Sequence, residues 1–241
     1  MKKNFIDLAY KKERKICMNT ENNQENILAE SSSDVQTKKK RKNIFKMDGK
    51  DFNGYYLIAA FIIPFMLMLA VYVCMRKHPF GNQSVLTLDM QAQYVYYFEA
   101  LRRLLTEGGS WLYSWERTLG GEFMGIIAYY LASPFNLIVA LFPKTMIPDA
   151  IMFIQLTKVG AMGVTFAYYL RKTRNTSDMV SVSFGTMYAL SAYSVVQLCT
   201  IMWLDAMVFV PLLILGVEAM IRERKFILYT VSLVLIFCTN Y

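Results

Sequence analysis

Asp89 is the residue whose setting best suits it to chemistry. It stands alone among uncharged neighbours in Thr87-Leu88-Asp89-Met90-Gln91-Ala92-Gln93-Tyr94. A solitary carboxylate beside amides and aromatic rings can take the proton of an attacking hydroxyl group, the work of a general base. It also reads as a helix N-cap, because Asp accepts readily from the unpaired N–H groups of a first turn, and the two roles can coexist. A second acid, Asp205, lies in Met202-Trp203-Leu204-Asp205-Ala206. An acid embedded in an apolar run is costly and marks a candidate site. Its bland alternative is an interfacial cap with Trp203 as an aromatic anchor. Two such acids would divide the role of base from that of holding substrate or a divalent cation.

Cations supply the other candidates. Arg102 and Arg103, with Glu116 and Arg117 further on, offer guanidinium forks suited to phosphate oxygens. The alternative is that they meet lipid headgroups or pair locally. Lys158, with Gln155 one turn before it, sits inside an apolar run and should face a protein interior or a watery cavity. It would bind an anionic lipid-linked group or pair with an acid from another helix. Gln93 and Tyr94 complete the substrate-binding candidates. His78 reads as a side chain at the membrane edge. Cys17, Cys74, Cys199 and Cys238 are scattered without paired spacing, which argues against a zinc site or a disulfide framework.

These residues need elements to hold them, and the composition says which. Of 241 residues, 55% are hydrophobic, while half of the 26 Lys and Arg residues fall in the first fifty positions. Basic residues flanking apolar spans are a topology signal, so the run Lys38-Lys39-Lys40-Arg41-Lys42 argues for an orientation and not for nucleic acid. Residues 1–53 are too polar to offset ordering entropy and read as a disordered basic cytoplasmic tail, with Met18 an alternative start to Met1. This tail contains no apolar core of the kind found in a cleavable signal peptide, so the first span should act as its own insertion signal.

Residues 54–241 read as a transmembrane domain. A hydrocarbon core about 30 Å thick needs roughly 20 apolar residues, and residues 55–75 satisfy it. The basic flank before them places the N-terminus in the cytoplasm. Residues 76–121 form a first outer loop, in which Tyr94, Tyr97, Phe98, Leu101 and Leu105 make an amphipathic helical stripe expected to lie on or against the membrane face. Residues 122–143 are interrupted by Ser133-Pro134. If they cross, Arg171, Lys172 and Arg174 end up outside; if they are broken or re-entrant, every later span orients with its positive end inside. The second arrangement is preferred, with spans at 147–170, 179–198, 206–221 and 226–241. The last span ends within an apolar run, as a truncated span of a longer protein would.

Several strings together make the chain resemble the YfhO family of bacterial multi-pass membrane proteins. They are Pro79-Phe80-Gly81, Leu86-Thr87-Leu88-Asp89 with Gln93-Tyr94, and Leu119-Gly120-Gly121. The most telling are Ser133-Pro134-Phe135-Asn136, following Tyr129-Tyr130-Leu131-Ala132, and Trp203-Leu204-Asp205. The resemblance implies an all-α, polytopic helix bundle corresponding to the N-terminal part of a GT-C-type glycosyltransferase, with amphipathic juxtamembrane helices in the first outer loop. It further implies a polyprenyl-phosphate-linked sugar as donor and an extracytoplasmic cell-envelope polymer, teichoic-acid-like, as acceptor. Asp89 would then be the catalytic base and Asp205 a second acid. Family members are longer, so this chain alone is expected to be inactive. A transporter or flippase of lipid-linked intermediates, built on Lys158 and the Pro-interrupted segment, is the first rival reading. A non-catalytic membrane scaffold, with both acids as caps, is the second.

Overall fold

A computed structural model describes residues 54–115 and 119–239. The tail at 1–53, Glu116 and Arg117, and the terminal Asn240-Tyr241 lie outside the described residues. The described part is an all-α bundle with one two-residue hairpin pair. Three helices are long and apolar enough to cross a membrane, and up to five spans result if each of two bent pairs crosses.

Helix α1 (Tyr55–Cys74) is 20 residues long with a mean hydropathy of 2.7. It buries Tyr56, Ala60, Pro64, Met68 and Tyr72, every fourth residue, and so presents one ridge to the protein. Its other faces are apolar and exposed, as suits a helix bordered by lipid. The ridge meets the long central helix at Gly163, where a Cβ would fall 2.3 Å from the Ala60 carbonyl oxygen. Only glycine permits that approach.

After α1 the chain folds back over residues 76–84. Gly81 lies against the backbone of Arg76, and the His78 N–H donates to the Gln83 carbonyl at 2.8 Å. A π-helical turn (Met90–Tyr94) then leads into helix α2 (Val95–Glu107). The stripe expected here is present, but its partner is different. Phe98, Leu101 and Leu104 are buried, Tyr97 and Leu105 partly so, and α2 packs on the following broken segment and the central helix. Protein covers the apolar face; Tyr96, Arg103 and Glu107 remain exposed. Arg102 Nε donates to the Phe142 carbonyl at 2.6 Å, and Lys144 pairs with Glu99 at 2.7 Å, which fastens α2 down. Strands β1 (Tyr113–Ser114) and β2 (Gly121–Glu122) pair antiparallel beyond it.

The interrupted segment comprises helix α3 (Met124–Leu131) and a 3-10 helix (Pro134–Leu141), which meet at 103°. Proline cannot donate a backbone hydrogen bond and pushes the residue before it toward extended geometry. Ser133 obliges, at φ −73° and ψ 134°, and its hydroxyl caps the new helix by accepting from the Phe135 N–H.

Helix α4 (Ile147–Arg174) is the central post and contacts α1, α2 and the 3-10 helix. Asp149 lies in its first turn and Arg171, Lys172 and Arg174 in its last, in keeping with the helix dipole. The stretch expected as one span at 179–198 is bent by 42° between helix α5 (Asp178–Ala189) and the short α6 (Ala192–Val196). Two 3-10 turns lead to helix α7 (Leu204–Glu223), which packs on α4 and on α8 (Ile227–Thr239).

Candidate functional site

Asp89 occupies the residue before the π-helical turn, and its side chain makes no capping hydrogen bond. Its carboxylate is exposed, so the cap role proposed for it is not realised and the acid is left facing outward. A cluster of aromatic rings lies beside it. Tyr94 is only 1% exposed and meets the Tyr130 ring edge-on with centroids 5.2 Å apart. Tyr97 and Tyr129 reach the same Tyr130 ring at 5.0 and 4.6 Å. The Tyr130 hydroxyl donates to Gln93 Oε1 at 3.3 Å. Burial, first, and also the negative charge of Asp89 push the Tyr94 phenol up from its ordinary range, so it stays protonated.

Lys158 and Asp205 are somewhere else: in the interior, bonded to one another. Lys158 Nζ lies 2.6 Å from Asp205 Oδ2, and both side chains are 0% exposed. The ammonium also donates to the Ile201 carbonyl at 2.9 Å. The second Asp205 oxygen accepts from Ser133 Oγ at 2.8 Å. One turn earlier on α4, Gln155 Nε2 donates to the Leu198 carbonyl at 2.7 Å and its Oε1 accepts from Tyr72 at 2.9 Å. The two 3-10 turns before α7 thus have carbonyls met by α4 side chains, as buried backbone requires. Lys158 holds an acid of another helix, the second of the two roles considered for it. Asp205 lies in the first turn of α7 rather than at its cap, and neither group of the pair is accessible to a substrate in this arrangement.

The two arginines part company. Arg102 is half-buried and directed to the Phe142 carbonyl, with Glu107 at 3.7 Å. Arg103 is exposed and borders a groove of about 290 Å³ with Ser110, Tyr113, Trp115 and Phe123. His78 Nδ1 meets Asp149 Oδ1 at 2.6 Å, joining the segment after α1 to the first turn of α4. Among the described residues, no three His, Cys, Asp or Glu side chains converge as a metal site would require.

Sequence reasoning missed Tyr130 and Ser133 as site-building residues, and Asp149 as the partner of His78. Ser133 was legible as a helix break, but its bond to Asp205 spans 72 residues and no local pattern announces it.

Neither a curated protein nor a solved structure matches this chain. The family model described as bacterial membrane protein YfhO matches residues 59–241. That covers most of the sequence and nearly every element described above, so the chain belongs to the YfhO family of bacterial membrane proteins.

Proposed function

We propose that this membrane protein takes part in glycosyl transfer from a polyprenyl-phosphate sugar to an extracytoplasmic cell-envelope acceptor, with Asp89 as general base. The observation that carries the reading is the outward carboxylate of Asp89, uncapped, beside Gln93 and the rings around Tyr130. Aromatic faces and amides are suited to a sugar, one packing on its apolar C–H faces and the other bonding its hydroxyls. In the step envisaged, Asp89 takes the acceptor hydroxyl's proton and the freed oxygen attacks the anomeric carbon. The bond from that carbon to the lipid phosphate oxygen breaks, and the polyprenyl phosphate leaves with the electron pair.

The orientation that supports this has the N-terminus in the cytoplasm and the broken segment not crossing. The basic ends at Arg171–Arg174 and Arg222–Lys225 then face inward, and Asp89 faces outward. Arg103 at its groove is the remaining candidate for the phosphate, with an acceptor of teichoic-acid type as the client.

The test is envelope glycosylation in cells lacking the native protein, complemented with full-length wild type or Asp89→Ala at equal membrane abundance. Loss of at least about a hundredfold in transfer is expected from removing a general base. Undiminished transfer by the variant sinks the assignment. The buried ion pair beside a broken helix also favours a second reading, transport of a lipid-linked intermediate. Movement of the lipid across reconstituted vesicles without a new glycosidic bond would select it.

A further inference from the structure

We infer that Lys158 is a positioning residue: through Asp205 and Ser133 it holds the helix break, and so sets Tyr130 and its neighbours beside Asp89. The inference rests on the reading of the Asp89 end as the site. A buried ion pair does not owe its presence to stability, since apolar side chains of similar volume often serve as well or better. Its virtue is specificity of arrangement, and the partners here say which arrangement. Asp205 has two oxygens and uses one for Lys158 and one for Ser133. Ser133 is the extended residue at the 103° break, and its hydroxyl both donates to Asp205 and accepts from the Phe135 N–H. The angle between α3 and the 3-10 helix is therefore referred to α4 by way of two side chains.

From Ser133 the path to the site is short. Tyr130 lies three residues earlier, and the chain between them is tied back by Asn136, which donates from Nδ2 to the Tyr130 carbonyl at 3.4 Å. Asn136 is itself 0% exposed, and its N–H donates to the Ser133 carbonyl. Tyr130 then contacts Gln93 and the rings of Tyr94, Tyr97 and Tyr129. A shift of the break would carry Tyr129 and Tyr130 away from α2, while the packing of α1 on α4 and α5 has no part in the path.

The experiment uses full-length protein freed of other cysteines and carrying two spin labels. One pair, at Met124→Cys on α3 and Leu137→Cys on the 3-10 helix, spans the break; both positions are exposed. A second pair, at Ile58→Cys on α1 and Met187→Cys on α5, reports the rest of the bundle and is also exposed. Lys158→Met is expected to broaden the distance distribution of the first pair and leave the second unchanged. Glycosyl transfer should fall by about a hundredfold, as misplacement of order 1 Å can cause. Ser133→Ala, which removes one hydroxyl, should broaden the first pair to a smaller degree and decides the matter if Lys158→Met disturbs both pairs. A first-pair distribution in Ser133→Ala as narrow as in wild type overturns the inference. If wild-type protein shows no transfer, the proposed function fails, but the distances still decide whether Lys158 holds the break.

Discussion

The sharpest contrast at the scale of single residues lies between two aspartates. Asp89 faces outward with no bond to cap a helix, whereas Asp205 is spent entirely on a buried lysine and a serine. Their substitutions should therefore fail differently. Asp205→Ala or Lys158→Ala leaves an unpaired charge in the interior and should cost about 3–5 kcal/mol. Replacing the pair together, as Lys158→Met with Asp205→Leu, should cost clearly less than either alone, read as thermal unfolding in detergent. Equal losses for all three would show that the pair itself carries the stability. Asp89→Ala should leave the same melting curve unchanged while abolishing transfer. Gln155→Leu strands the Leu198 carbonyl and the Tyr72 hydroxyl, and should cost about 1–3 kcal/mol by the same measurement. Asp89 was conspicuous in sequence for its isolation, and the fold leaves it exposed and without a capping bond. The Lys158–Asp205 bond was only half legible: each residue was conspicuous as a charge in an apolar run, but nothing local named the partner.

At the scale of elements, the sequence patterns were good at locating helices and poorer at saying what covers them. The stripe on α2 was plain from its spacing, yet periodicity cannot distinguish a lipid surface from another helix, and the cover is the broken segment. The break itself was readable because Ser133-Pro134 dictates it by backbone chemistry. The bend between α5 and α6 has no proline and went unread. Close packing of α1 on α4 depends on Gly163, whose missing side chain leaves room for the Ala60 carbonyl. Gly163→Ala should thus push the two helices apart and destabilise the protein by about 1–3 kcal/mol, seen as a lower melting temperature. No change would mean that α1 rides loosely on the bundle.

Taken whole, the proposed orientation puts the basic C-terminal ends of α4 and α7 on one side of the membrane and Asp89 on the other. Cysteines at Leu88 and Val196 should react with a membrane-impermeant thiol reagent in intact cells, and cysteines at Met179 and Ile221 only after permeabilisation. All four positions are well exposed in the fold. The reverse pattern would invert the bundle and remove Asp89 from any extracytoplasmic acceptor. Charge bias along the chain was enough to suggest this orientation, since the positive-inside tendency acts on sequence before any packing occurs.

The ion pair also bears on how the chain is made. Lys158 and Asp205 are 47 residues apart, so Lys158 leaves the ribosome before its counter-ion does. Among the three long apolar helices, the one that carries Lys158 has the lowest mean hydropathy, 1.5 against 2.7 and 2.1. A lone lysine at mid-helix adds about 2.5–3.5 kcal/mol to the cost of entering lipid. Entry of α4 is therefore the step at which biogenesis is most exposed to failure. The nascent helix would have to wait at the insertion machinery, or against α1, until α7 arrives with the carboxylate that neutralises it.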